Sequence, residues 1–428
     1  MAKKRKQQSK TPSKTAPAKT KSLWKIEAAI AVAIIAGGII TVKIVTSSPE
    51  PVRQVEAALP APAEPIDTFK TNDLWLQRAL AVTAQFHRVY TPCWEGAYGA
   101  IGDAYLFAAT GDSALLRFHL VDHDLKKMCE GRWVDDRAWV CLAELKWWNV
   151  TGKTRQDLVA DAIYRYDEAK TQGRLSSHEG FWSWYNWPPQ SGVNEHIYTN
   201  SNMNQMVTVA CKLYEATNNR RFLDDALKIW NGDGHIPGIE KTFYRGNGRW
   251  EGSGTSAAFS KQLPWDGTGY CSVLAALYKA THNEKYRTIA VATARRIMDP
   301  KTGWVAPKDY YQLRMDGGGA FVNFLLDAYE IAPDKLQDIL PKVQAMLEHV
   351  WTNNHGKAVV VLHRTSDDGI RNGWNPVGGE DGYGVGEVGT VHAQGEAARA
   401  FGVFAYFHTR GIEKTKDAAA SAENKQNR

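Results

Sequence analysis

The chain has 428 residues, 43% hydrophobic and 23% charged, enough to bury a sizeable core in one large domain or two ordinary ones. Its net charge of +6 is concentrated: residues 1–25 hold nine Lys and Arg and no acid, and setting those nine aside leaves the remainder near −3, which excludes a basic surface for nucleic acid. The 16 Trp and 17 Tyr are unusual, and such aromatic faces suit either a large core or sugar rings, whose C–H faces stack on them.

The basic head, 1–25, begins Lys3-Lys4-Arg5-Lys6 and leads into an apolar stretch, 26–45, that carries only Glu27 and Lys43. About 20 apolar residues span a bilayer core, so this stretch is expected to be one N-terminal transmembrane helix. By the positive-inside rule the head stays cytoplasmic and the rest lies outside the cytosol, at the cell surface or in the secretory lumen. No small-x-small cleavage site follows directly, which favours an uncleaved signal anchor over a removed signal peptide. Residues 46–68 are rich in Pro and Ala and read as a semi-extended tether. The folded domain is expected over 69–411, and 412–428, without aromatics, is expected to be a disordered tail.

Within 69–411, helical runs end in one kind of short turn: Ala109-Thr110-Gly111-Asp112, Val150-Thr151-Gly152-Lys153, Ala216-Thr217-Asn218-Asn219 and Ala280-Thr281-His282-Asn283, with Ile331-Ala332-Pro333-Asp334 a looser fifth. A second, amphipathic helix follows each, so the unit is a helical hairpin. An apolar first helix and an amphipathic second helix are what two concentric rings require. With the helix at Leu74–Tyr90 and the last at Val391–Phe407, about six pairs fit, an all-α (α/α)6 toroid. Strand-like alternation is scarce.

Five cysteines, Cys93, Cys129, Cys141, Cys211 and Cys271, fit no CxxC spacing, which disfavours a cysteine-bound zinc. Outside the cytosol Cys93 with Cys129 is the first disulfide to expect, and the odd count leaves at least one thiol free. Asn149-Val150-Thr151 is a glycosylation sequon.

The stretch Gly131-Arg132-Trp133-Val134-Asp135-Asp136 sets two adjacent carboxylates at the start of an apolar helix on which Ala138, Cys141, Leu142, Leu145 and Trp148 recur at helical spacing. A plain helix cap is the simple reading of such a doublet. In a toroid, however, the N-terminal ends of inner helices gather with the long connections on one face, around the central cavity. Those connections are aromatic: Phe181-Trp182-Ser183-Trp184-Tyr185-Asn186-Trp187 and Phe243 to Trp250 are the clearest. Trp133, Trp184, Trp187 and Trp250 are the candidates for stacking on sugar, with packing of large loops as the alternative.

Asp135-Asp136-Arg137-Ala138-Trp139 before a long apolar helix and Thr151-Gly152, then Leu213-Tyr214-Glu215-Ala216-Thr217, then Leu277-Tyr278-Lys279-Ala280-Thr281 with Asn283-Glu284-Lys285-Tyr286, resembles glycoside hydrolase family 76, the endo-α-1,6-mannanases and their fungal cell-wall relatives. The resemblance covers most of 70–410. It implies an (α/α)6 barrel and retaining hydrolysis of α-1,6-mannosidic bonds in mannan, with Asp135 as nucleophile and Asp136 as general acid/base. It also makes Asp266, in Leu263-Pro264-Trp265-Asp266-Gly267, a substrate contact, and Asn202 and Asn204 fall in an Asn-rich segment like the family's. Two departures are Val140, where the family often has a second Trp, and the N-terminal anchor.

The chemistry is sound in its own right. Retention needs one ionised carboxylate and one protonated carboxyl about 5–5.5 Å apart, and neighbouring residues can meet that. The helix dipole favours one ionised aspartate, whose charge then keeps the other protonated. No metal or cofactor is required. A terpene cyclase would need a DDxxD cluster, which Trp139 and Val140 break. A toroidal epimerase would need paired histidines, whereas His178, His196, His235 and His392 are scattered. A mannan transglycosylase shares every residue named here, and a non-catalytic mannan-binding protein would keep the aromatic cleft without needing both acids.

Overall fold

The computed structural model describes residues 71–129, 134–172, 174–175, 178–182, 200–232, 238–250, 264–299, 318–353, 363–365, 369–371 and 391–426. In chain order the helices are α1 (Leu74–Val89), α2 (Trp94–Thr110), the short α3 (Ser113–Arg117), α4 (Val134–Val150), α5 (Gln156–Gln172), α6 (Asn200–Thr217), α7 (Arg220–Asn231), the short α8 (Ile239–Phe243), α9 (Pro264–Thr281), α10 (Glu284–Ile297), α11 (Gly318–Ile331), α12 (Ile339–Asn353) and α13 (Val391–Gln426). Two short antiparallel ribbons, β1 (Arg174–Leu175) with β2 (His178–Trp182) and β3 (His363–Thr365) with β4 (Gly369–Arg371), lie in connections between hairpins.

Six helices, α2, α4, α6, α9, α11 and α13, pack each on the next, and α13 returns to α2 to close a ring. Outside them α5 covers α4, α7 covers α6, α10 covers α9, α12 touches both α11 and α13, and α1 lies on α13. This is the double ring that the hairpin pattern predicts. Composition decides which ring a helix joins. On α4 nearly every residue from Val134 to Trp148 is buried, whereas α7 buries one stripe, Phe222, Leu223, Ala226, Ile229 and Trp230, and shows its charged face to water.

The recurring turn works the same way in four of the hairpins. Thr110, Thr151, Thr217 and Thr281 turn their hydroxyls back onto carbonyls four residues earlier, at 2.8, 2.8, 2.7 and 2.7 Å. The next residue, Gly111, Gly152, Asn218 or His282, takes a left-handed backbone with φ of 68, 70, 53 and 54°. In three of the turns Asp112, Asn219 or Asn283 then caps the outer helix, its side chain accepting the N–H two residues on at 2.9 to 3.1 Å. Helix end, reversal and helix start are thereby satisfied within four residues.

One hairpin departs from the plan. After α2 the outer helix is broken into α3, a π-helical turn at Phe118–Asp122 and a 3-10 turn at Leu125–Lys127. The segment is fastened at its end by the Cys93–Cys129 disulfide, the expected pair, and Cys129 N–H donates to Pro92 O at 2.8 Å. Closing a 36-residue span in this way stabilises the fold by roughly 4 kcal/mol in the chain-entropy account. Cys141, Cys211 and Cys271 are buried thiols outside any disulfide.

The expected disordered tail is corrected: α13 runs to Gln426. Beyond Gly411 the sequence has neither Gly nor Pro and is rich in Ala, Lys, Glu and Gln, all good helix formers, so the helix has no reason to stop. Among the described residues no helix is long and apolar enough to cross a membrane. The basic head, the apolar stretch 26–45 and the tether 46–68 lie outside the described residues.

Candidate active site

The residues lining two cavities fix the direction of the inner helices. A crevice of about 10 Å³, room for a single water, is lined by Leu142 at the middle of α4 and by Asn204, Gln205, Gly269 and Phe324 in the N-terminal halves of their helices. A cavity of about 630 Å³ at the other end is lined by Tyr105, Lys146, Lys212, Lys279, Asp327 and Glu330, in the C-terminal halves. The inner helices therefore run parallel, and their N-terminal ends share one mouth.

Asp135 and Asp136 occupy the first turn of α4 at that mouth. The pair belongs there on two counts: a helix start leaves N–H groups without intrahelical partners, and the helix dipole favours negative charge. Asp135 is half-buried, while Asp136 is 3% exposed. Both act on Tyr98 of α2, whose hydroxyl is pushed well above its ordinary pKa by burial and by the negative charges of Glu396, Asp135 and Asp136. One phenol thus sits among three carboxylates and stays protonated, a hydrogen-bond donor at any physiological pH.

The ring of Tyr98 is fixed by aromatics from three helices: Trp94 at 6.0 Å, Trp139 at 4.8 Å and His392 at 4.7 Å between centroids. Burial lowers the His392 imidazole to about 4, so it is neutral near pH 7. Trp139 stacks on Phe324 at 5.9 Å, and the Arg399 guanidinium lies over both, at 4.7 and 5.1 Å. Arg399 donates Nε and Nη2 to Asn323 Oδ1 at 2.9 and 2.8 Å. Glu396 accepts the Ala320 N–H at 2.7 Å, at the start of α11. The floor of the mouth is a packed layer of rings with one cation and one further carboxylate built in.

Asn204, 2% exposed, lines the crevice, and neither its Oδ1 nor its Nδ2 has a hydrogen-bond partner; Oε1 of the neighbouring Gln205 is likewise unpartnered. A buried amide without partners costs about 1–3 kcal/mol, a cost that a polar ligand would remove. Gly269 of α9 packs on that amide, since a Cβ there would come within 3.1 Å of Asn204 Nδ2. Asn202 and Asp266 lie in the first turns of α6 and α9, at the same end of the ring. The side chains of Asn202 and Asp266 lie outside the described residues, as do Trp133, Trp184 and Trp187.

Trp250 is a correction. Its indole is 1% exposed, stacked on Tyr270 of α9 at 3.7 Å and 8°, with Trp230 edge-on at 5.8 Å and Nε1 donating to Thr293 Oγ1 of α10 at 3.0 Å. No face is left for a sugar. It is a wedge between the rings, and aromatic composition alone could not separate this packing role from a binding one.

Tyr98, Glu396 and Arg399 are the site residues that the sequence reading missed. A signal for two of them exists, because Gln394, Glu396 and Arg399 interrupt the otherwise apolar run of the last inner helix, and a charge there must face a partner or a cavity.

No family model and no curated protein matches the chain by sequence. Solved structures do match it in fold. The family 76 α-1,6-mannanase GH76A of Salegentibacter sp. HEL1_6 is 16% identical over 78% of this chain and 99% of that one, with a TM-score of 0.57. An inactive variant of that enzyme, with two consecutive aspartates replaced by alanine, is held in complex with α-1,6-mannotetrose. The family 76 mannosidase Bt3792 of Bacteroides thetaiotaomicron is 13% identical over 79% and 100% of the two chains, at 0.58. Dfg5 of Chaetomium thermophilum, in complex with glucosamine, is 13% identical over 79% and 93%, at 0.55.

Proposed function

We propose that this chain is a glycoside hydrolase of the family 76 type, cleaving α-1,6-mannosidic linkages in mannan with retention of configuration. The observation that carries the reading is the position of Asp135 and Asp136, consecutive on one inner helix, at the barrel mouth and around one phenol. It is supported by the fold shared with α-1,6-mannanases, one of which is inactive once two consecutive aspartates are replaced.

In this reading the Asp135 carboxylate attacks the anomeric carbon while Asp136 gives its proton to the departing glycosidic oxygen, leaving a mannosyl ester on Asp135. Asp136, now ionised, takes a proton from water, the resulting hydroxide attacks the same carbon, and the Asp135 carboxylate is released. Tyr98 keeps a protonated hydroxyl under the negative charge of Glu396, Asp135 and Asp136, and Asn204 offers its unpartnered amide to a sugar hydroxyl. The apolar stretch 26–45 holds the catalytic domain on the outer side of a membrane, within reach of cell-wall or secretory glycans.

The test is turnover of α-1,6-linked mannooligosaccharides by the full chain, with products followed by chromatography. Asp135→Asn is expected to abolish release. Asp136→Asn should slow it by about 10²–10⁴-fold, the usual worth of a general acid. Unchanged product from Asp136→Asn would sink the assignment, and wild type that binds but does not cleave would mark a mannan-binding protein. Capture of the mannosyl unit by an added sugar, in place of water, would make the enzyme a transglycosylase using the same two residues.

A further inference from the structure

A second constellation lies between the two rings, away from the barrel mouth. Asp103 of α2 is 0% exposed, and its Oδ2 lies 2.7 Å from His87 Nε2 and 2.7 Å from His119 Nε2. Its other oxygen accepts the Thr83 hydroxyl at 2.8 Å. The three potential ligand atoms all lie within 4.8 Å of one another. They come from three separate elements: α1, α2 and the π-helical turn Phe118–Asp122.

The arrangement has the features of a built site. Both imidazoles aim the same ring nitrogen at the same carboxylate oxygen, and both rings are held: His87 stacks on Phe118 at 3.6 Å and 6°, and His119 lies between Phe86 at 6.4 Å and Trp147 at 5.4 Å. Thr83 fixes the carboxylate from behind, the part that an outer-shell hydrogen bond plays in metal centres. His119 reaches the cluster because its helix turn is wide, and such π turns are rare and collect at functional positions. The four hairpins that follow, α4–α5, α6–α7, α9–α10 and α11–α12, each have a continuous outer helix, so the irregularity in the ring coincides with the cluster. His119 Nδ1 and the Tyr90 hydroxyl beside it are buried without hydrogen-bond partners.

The side chain of His87 is 21% exposed, which leaves an approach from solvent.

We propose that His87, Asp103 and His119 bind one divalent transition-metal ion of the zinc type, through two imidazole nitrogens and one carboxylate oxygen, with water completing the shell. Nitrogen and carboxylate donors without thiolate suit Zn²⁺, at about 2.0–2.2 Å to each. In a tetrahedral shell those bonds put ligand atoms about 3.3 Å apart, so each 2.7 Å contact opens by under an ångström as the ion replaces the shared protons. The ion cross-links α1, α2 and the broken outer segment beside the seam where the ring closes. Cysteine spacing gives no hint of such a site, because its ligands are 16 residues apart in each direction.

The test needs no substrate. The untagged full chain, stripped with chelator and dialysed, is titrated with Zn²⁺ by calorimetry and with Co²⁺ by visible absorption, and melted with and without Zn²⁺. One equivalent bound, the absorption of a protein-bound Co²⁺ and a melting temperature raised by a few degrees are expected. His119→Gln should weaken the affinity at least tenfold. His87→Gln, at a half-buried position that folding tolerates, should do the same while leaving the far-ultraviolet circular dichroism of the stripped protein unchanged. No saturable equivalent in wild type, or the same affinity and stoichiometry in His87→Gln, would overturn the site and leave a carboxylate hydrogen-bonded by two imidazoles.

Discussion

Two cations inside the ring, one buried and one half-buried at the wall of the large cavity, show how differently the barrel treats charge. Arg399 enters the axis with Asn323 Oδ1 as the acceptor for two of its N–H groups, aromatic faces on Trp139 and Phe324, and Glu396 three residues away. Replacing it with Met leaves the buried Asn323 Oδ1 without those two donors and removes the positive charge that acts on Glu396, and the expected loss is about 1–3 kcal/mol in a urea titration. A loss under 1 kcal/mol would mean that Arg399 is dispensable to the floor of the mouth. Lys146, at the opposite end, has the Tyr105 ring at 3.2 Å in place of an acid partner. Burial lowers it to about 7, with Lys212 and Lys279 adding to the effect and Glu330 and Asp327 opposing it. Lys279, whose Nζ is 2.7 Å from Glu330, is raised instead. Between pH 7 and the unfolded value of about 10.4, the unfolded chain binds the proton that native Lys146 has lost. Its contribution therefore grows more favourable as pH rises through that window, and is most unfavourable below it. Lys146→Met should raise the urea midpoint at pH 6, and the advantage should shrink by pH 10. An advantage independent of pH would contradict the burial argument.

At the scale of elements, the closing seam of the ring rests on the absence of side chains. A Cβ on Gly102 of α2 would lie 2.5 Å from Arg399 Cα and 2.6 Å from Ala398 O, and one on Gly402 of α13 would lie 2.5 Å from Gly102 O. Both obstacles are backbone, which cannot rotate away. Helix propensity alone would make Gly102→Ala stabilising by about 1 kcal/mol. The contact predicts the reverse, a net loss of about 1–3 kcal/mol as α2 and α13 are forced apart, so the sign of the change in melting temperature decides between them. The hairpins were legible because a Thr hydroxyl, a left-handed residue and an Asx cap act within four residues, and local chemistry repeats in sequence. The broken outer helix after α2 was not, because Phe118-His119-Leu120 has helical propensity and turns irregular through contacts with Phe86, Tyr90 and Trp147 from distant positions. Trp250 was misjudged for the same reason: its partners Tyr270 and Thr293 are 20 and 43 residues away.

Over the whole molecule, the acid pair was readable because its meaning depends on a helix start, while Tyr98 and Glu396 join it only through closure of the ring. That closure is long-range: α1, the first outer helix, lies on α13, the last inner one, so the ends of the domain meet only after every hairpin between them is in place. Such closure carries the loop entropy of some 300 intervening residues, and nothing covalent holds it. The protein should therefore depend on residues 391–410 as a unit. A chain ending at residue 390 lacks the helix that faces both α2 and α11 and carries Glu396 and Arg399. It is expected to lose cooperative unfolding and to bind an apolar dye at neutral pH. A chain ending at residue 411 keeps every one of those contacts and sheds only a helical extension without aromatics. Its stability should stay within about 0.5 kcal/mol of the full chain. If both truncations fall together, the extension contributes to the core, and closure of the ring at Gly102 and Gly402 is not what holds the two ends.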